Sequence, residues 1–71
     1  MAWFLRAQQL DDGTIECRRG RNLLDTHDNL EAAIAHLLDI AGDLGNAIVF
    51  LHRSDGGVEE IARVSLDDAA T

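Results

Sequence analysis

Apolar residues recur every three or four positions from Asp25 to Gly45, which is the pattern of an amphipathic helix with one face turned to a core. Asp28, followed three positions later by Glu31, is the predicted N-cap of a capping box, so helical residues are expected from Asn29. Gly45 is the predicted left-handed residue that ends the helix. The predicted core face consists of Leu30, Ala33, Ile34, Leu37, Ile40, Ala41 and Leu44, with Leu38 at its edge.

The N-terminal part of the chain predicts a β-hairpin, because residues 3–10 and 14–18 alternate loosely around a polar turn that ends in glycine. If the loop is Asp11-Asp12-Gly13, Leu10 faces Thr14. The residues that then meet the helix are Leu5, Ala7, Ile15 and Cys17. A two-residue Asp12-Gly13 turn would instead place Leu10 opposite Ile15 and change the faces, so the register stays open by one residue.

The segment from Arg19 to Asp25 is interpreted as a solvated connection, with Leu23 or Leu24 closing the end of the core; a short edge strand is the alternative. After the helix, residues 47–53 include five consecutive apolar positions, which favours a central strand buried on both faces. Residues 54–57 form a predicted turn, residues 58–64 an exposed edge strand, and residues 65–71 a frayed tail.

These elements predict an α+β fold of order ββαββ, in which one helix packs on one face of a mostly antiparallel four-stranded sheet. Residues 1–71 are expected to form a single domain with an ordered core of about residues 3–64.

One helix cannot cover both faces of such a sheet. The apolar residues expected to point away from it in part are Phe4, Leu10, Val49 or Ile48, Leu51 or Phe50, and Ile61 or Val58. An apolar second face predicts a protein partner, most economically a second copy of the chain. Scattered surface hydrophobic residues are the alternative explanation.

The 71 residues carry 13 acidic and six basic side chains, a net charge of −7, which disfavours general binding to nucleic acids or anionic membranes. No apolar run is long enough for a membrane span, and the first residues do not have the pattern of a signal peptide, so a cytoplasmic location is expected. The basic residues are all arginine, a usage typical of a high-GC bacterial genome or of its phages.

Arg18, Arg19 and Arg21 form a local basic cluster, which Arg6 would join if it lies across the hairpin from Arg18. Guanidinium groups suit carboxylate or phosphate partners. The alternative is that Glu16, Asp25 and Asp28 neutralise the cluster. The candidate partner-binding residues are Phe4, Arg6, Arg18, Arg19, Arg21, Val49, Leu51 and Ile61.

Cys17 cannot form an internal disulfide because it is the only cysteine, and it is interpreted as a buried small hydrophobic residue rather than a reactive thiol. His27, His36 and His52 are not at zinc-ligand spacing, and no carboxylate pair is placed to orient one of them as a base. The sequence therefore predicts no metal, no cofactor and no catalytic residues.

Asp12-Gly13, Thr26, Glu31-Ala32, Gly45 and Asp55-Gly56 resemble the pattern of a family of short bacterial ββαββ proteins, and this resemblance implies a fold without a chemistry. The segment 26–34 also resembles, more weakly, part of the N-terminal module of HicB-type antitoxins, which is partly RNase-H-like. That resemblance implies an acidic protein that blocks a basic RNase toxin.

The function expected from these features is that of a small non-enzymatic interaction or regulatory protein that self-associates. The alternative is an acidic, antitoxin-like or nucleic-acid-mimicking inhibitor of a basic partner protein.

Overall fold

The first hairpin has the register predicted with the three-residue loop. In the computed structural model, which describes residues 2–65, strand β1 (Trp3–Gln9) pairs antiparallel with β2 (Ile15–Arg19). The N–H of Leu10 donates to the Thr14 carbonyl at 2.8 Å, so these two residues face each other as expected. The side chains of Leu5, Ala7, Ile15 and Cys17 are all buried, which confirms the predicted core face of the hairpin.

The following segment is a third strand, β3 (Asn22–His27), which pairs antiparallel with β2 at the edge of the sheet. The interpretation of this segment as a connection is therefore wrong, and the edge-strand alternative is confirmed. Gly20, with φ of 60°, turns the chain back in a conformation that glycine adopts without strain. An irregularity in the pairing between Cys17 and Arg18 adds one residue to β3, and Leu24 packs against the core.

Helix α1 (Leu30–Leu44) begins one residue later than expected, and it follows β3, which extends to His27. Its N-cap is Asn29, whose side-chain oxygen accepts a hydrogen bond from the Ala32 N–H at 3.2 Å. Asp and Asn are almost equally good caps, so the sequence could not separate them. Gly45 ends the helix at φ 77° and donates to the Ala41 carbonyl, as predicted.

The predicted core face of the helix is largely confirmed. Ala33, Leu37 and Ala41 are buried, and three further predicted residues pack against the core: Leu30, Ile40 and Leu44. Leu38, expected at the edge of this face, is 40% exposed.

Strands β4 (Ala47–His52) and β5 (Val58–Val64) complete the sheet, in the order β3-β2-β1-β4-β5. Within residues 2–65 the order of elements is βββαββ and the sheet is mixed, because β4 runs parallel to β1. The α+β class is thus confirmed, whereas four mostly antiparallel strands is not the arrangement found. β5 is an edge strand, as predicted, but the central strand is β1 rather than β4.

The core lies between α1 and one face of the sheet, and it includes Leu5, Ala7, Ile15, Cys17, Ala33, Leu37, Ala41, Ala47, Val49 and Leu51. The predicted frayed tail lies, apart from Ser65, outside the described residues. No helix among the described residues is long and apolar enough to cross a membrane.

Candidate functional site

The sheet face opposite the helix is the first candidate site. Because side chains alternate along a strand, the buried Leu5 and Ala7 leave Phe4, Arg6 and Gln8 of β1 on this open face. On β4, Val49 and Leu51 are buried against the helix, so the residues next to them in sequence point to the open face. The residues of β4 on the open face are Ile48, Phe50 and His52.

The structure places three of the candidate partner-binding residues elsewhere. Val49 and Leu51 are 0% and 5% exposed and point towards the helix, because the alternation of β4 starts from the buried Ala47. Ile61 packs against the core, since the irregular pairing of β4 with β5 shifts the register beside it. For each of these three residues the sequence left a second residue as the one that points away from the helix. In the structure it is this second residue that does so: Ile48, Phe50 and Val58.

The centre of the open face is apolar. Phe4 is 57% exposed, and the centroid of its ring lies 6.1 Å from that of Phe50. Ile48 is the partner of Phe4 in the parallel β1–β4 ladder, so these three side chains form one patch. Charged residues lie on both sides of the patch, on β1 itself (Arg6) and on the neighbouring strands β2 and β5. They are Arg6, Arg18 and Glu16 on one side and Glu60 and Arg63 on the other.

The arginine cluster is divided between the two faces. Arg6 lies directly across from Arg18, which is the condition under which it joins the cluster, and Arg18 is paired with Glu16 at 3.0 Å. Arg19 lies opposite the core residue Leu5, and its guanidinium carbon is 5.0 Å from the centroid of the Trp3 ring, which is a cation–π contact. Arg21 is exposed in the turn that leads into β3. Only part of the cluster therefore faces the open side.

His52 borders the apolar patch. Desolvation lowers the pKa of its imidazole, and the positive charge of Arg6 lowers the same pKa further. The imidazole is therefore neutral at pH 7, which removes one charge from the open face.

A second candidate site lies on the helix side of the sheet, where the fold gathers four side chains that are distant in sequence. Cys17 of β2 lies directly across from Asp25 of β3, and His27 follows Asp25 by two residues on the same face. His36 reaches the group from α1. One ligand atom from each of Cys17, Asp25, His27 and His36 lies within 4.8 Å of the others. We call this group the CDHH cluster.

Asp25 is at the centre of the CDHH cluster. Its Oδ2 atom is 2.9 Å from Nδ1 of His36 and 3.2 Å from Nε2 of His27, and the two imidazole centroids are 5.6 Å apart. Despite these distances, neither nitrogen has a hydrogen-bond partner of acceptable geometry among the described residues, and both atoms are shielded from solvent. The side chains themselves are accessible from one side, since those of His27, Asp25 and His36 are 24%, 37% and 38% exposed.

The sulfur of Cys17 closes the inner side of the cluster. Its Sγ atom is 3.7 Å from the Ala33 carbonyl, and the residue is fully buried. Burial, reinforced by the negative charge of Asp25, raises the pKa of the Cys17 thiol to about 12. An unliganded Cys17 is therefore a protonated thiol at neutral pH, in agreement with its interpretation as unreactive.

Comparisons provide no relative from which to transfer a role. No protein-family model, curated protein or solved structure matches the chain. No cavity is found within residues 2–65 either, so the candidate sites are the open face and the surface-accessible CDHH cluster.

The CDHH cluster was not predicted from the sequence, because its histidines are far apart in the chain and not at zinc-ligand spacing. The available signal was the spacing of Asp25 and His27, which places both side chains on one face of a strand. That signal becomes informative only when residues 22–27 are recognised as a strand paired with β2.

Proposed function

We propose that this protein is a small, non-enzymatic interaction protein of bacterial or phage origin, acting in the cytoplasm, and that it self-associates through the open face of its sheet. The observation that supports the proposal is the apolar patch of Phe4, Ile48 and Phe50, which no described segment covers. An exposed Phe4 in contact with a half-buried Phe50 is typical of an interaction surface rather than of scattered surface residues.

The size of the open face is sufficient for a dimer. Five strands about 4.8 Å apart and about six residues long span roughly 24 by 20 Å, and the relief of the side chains brings the accessible area to about 600 Å². An interface of that size is at the low end of specific interfaces. A chain this short can bury only a small hydrophobic core. Dimerisation would nevertheless stabilise the fold, because a partner that binds the native state and not the unfolded state shifts the equilibrium towards the native state.

Electrostatics favours this face for contact between two copies. The chain carries a net charge of −7, so most orientations of two copies are repulsive. The open face is different, since it presents three arginines, two glutamates and the neutral His52. Two copies that meet there bring together faces on which arginines outnumber glutamates, and arginines of one copy can approach glutamates of the other.

Sedimentation equilibrium over a range of concentrations tests this proposal. The expected result is a mass near twice that of the chain, with a Tm that rises with protein concentration. Phe50→Ser should weaken the dimer at least tenfold, whereas Leu38→Ser, which removes an exposed apolar residue from the helix, should leave it unchanged. A wild-type monomer at high micromolar concentration, with a transition independent of concentration, would contradict the proposal.

A second candidate function is inhibition of a basic partner protein, as the resemblance to HicB-type antitoxins implies. The observation that favours it is the outer side of α1 and the residue before its cap, where four acidic side chains are exposed: Asp28, Glu31, Asp39 and Asp43. Affinity capture from the native host would test it. The expected result is a basic nuclease that is released by salt and is not retained by an Asp39→Asn, Asp43→Asn variant. Equal retention by the variant would exclude this surface.

A further inference from the structure

We propose that the CDHH cluster is a zinc site in which Cys17, Asp25, His27 and His36 are the four ligands and which fastens the edge strand β3 to β2 and α1. The proposal does not depend on self-association, because the cluster lies on the helix side of the sheet and the Phe4 patch lies on the other.

The donor set matches the chemistry of zinc. Thiolate, imidazole and carboxylate are the ligand types that Zn²⁺ takes in proteins, and four of them complete a closed structural site. A thiolate and a carboxylate together balance the two charges of the ion, so the occupied site is electrically neutral and can be half-buried without penalty from an unpaired charge. The acidic surface of the chain also attracts cations.

The distances in the cluster are close to those of a coordinated ion. With bonds of about 2.0 to 2.3 Å, neighbouring ligand atoms around tetrahedral zinc lie about 3.3 to 3.8 Å apart. The observed separations begin at 2.9 Å between Asp25 and His36 and do not exceed 4.8 Å. Side-chain movements of about an ångström bring all four ligands to the required positions, and the exposed side of the cluster gives the ion a path from solvent.

The unpartnered nitrogens point to a cation rather than to hydrogen bonds within the cluster. A carboxylate oxygen at 2.9 and 3.2 Å from two ring nitrogens is repelled by their lone pairs unless a proton or a cation lies between them. Ring N–H groups of both histidines could donate to Asp25, but neither contact has hydrogen-bond geometry, and such bonds would not involve the Cys17 thiol. A tetrahedral ion uses all four groups, and the thiol proton passes to solvent when the ion binds.

Cobalt(II) is the probe for the experiment, because tetrahedral thiolate coordination gives it intense visible absorption and a charge-transfer band from sulfur. The full chain is treated with a chelator, kept reduced with a phosphine, and titrated with Co²⁺ and then with Zn²⁺. We expect one Co²⁺ per chain, a charge-transfer band, and displacement of Co²⁺ by Zn²⁺. Saturating Zn²⁺, at about a hundred times its Kd, should raise Tm by roughly 10 °C or more.

Two histidine variants make the test specific. His36→Gln removes a ligand whose side chain is 38% exposed, so the fold should persist by circular dichroism while metal affinity falls at least tenfold. His52→Gln, which removes a histidine from the opposite face, is the matched control and should bind like the wild type. The proposal is overturned by a spectrum without the charge-transfer band at millimolar Co²⁺, or by equal loss of affinity in the two variants.

Discussion

Leu37→Ala is the sharpest test of how α1 lies on the sheet. Leu37 is fully buried in the middle of the helix and is among the largest side chains with no exposed surface. Its truncation removes three carbon groups from the core, which costs about 2.4 kcal/mol in transfer free energy. The cavity that remains raises the expected loss of unfolding free energy to about 3 to 5 kcal/mol.

Leu38→Ala is the matched control, since the two leucines are neighbours in sequence but lie about 100° apart around the helix. Leu38 is 40% exposed, so its truncation removes less buried surface, leaves no closed cavity, and should cost about 1 kcal/mol. The difference of about 2 to 4 kcal/mol corresponds, in a domain of this size, to a Tm lower by roughly 10 to 30 °C for Leu37→Ala than for Leu38→Ala.

Urea denaturation followed by circular dichroism measures both free energies, and Leu37→Met, which nearly conserves volume, supplies an intermediate point if Leu37→Ala is unfolded at 25 °C. Equal losses for Leu37→Ala and Leu38→Ala, or a larger loss for the latter, would mean that the helix presents a different face to the sheet.

Three further predictions concern the helix ends and the open face. Gly45→Ala should lower the unfolding free energy by about 1 kcal/mol because of the positive φ, whereas Gly42→Ala in open space should raise it by a similar amount; urea titrations compare the two. Asn29→Ala should cost about 1 kcal/mol and Asp28→Ala much less, and the reverse order would restore Asp28 as the cap. In an NMR titration the pKa of His52 should lie below its usual value of about 6.5 and rise when Arg6 is replaced by Gln. Because the unfolded chain binds this proton more readily, stability should fall as the pH drops through about 6.5, and a pKa at or above that value would contradict the assignment.

The hairpin and the helix were predictable from local signals. Asp11-Asp12-Gly13 sets the loop, and the period of the apolar residues around Leu37 sets the helix face. The faces of β4 were not predictable, because five consecutive apolar residues do not show which of Val49 or Ile48 is buried. In the structure, Ala47 is buried against the helix at the start of β4, and the alternation of side chains from there buries Val49 and leaves Ile48 on the open face.

Most of the remaining differences follow from one strand. β3 contains Leu23 and Leu24 side by side without alternation, and its place in the sheet comes from backbone pairing with β2, which side-chain patterns do not report. Adding one strand before the helix reverses the direction in which the chain enters and leaves α1, so β4 becomes parallel to β1. It also brings Asp25 and His27 beside Cys17, which creates the CDHH cluster.

The parallel pairing of β1 with β4 also determines when the sheet can form. Each residue of β1 pairs with one that is 44 positions later in the chain, from Trp3 with Ala47 to Gln8 with His52. Closing a loop of that length costs chain entropy before the contact stabilises anything, so this step is slow compared with formation of the hairpin or the helix. During synthesis the central strand must therefore keep one unpaired edge until β4 has been made. The protein is most exposed to wrong pairing with other chains in that interval, rather than in its finished state.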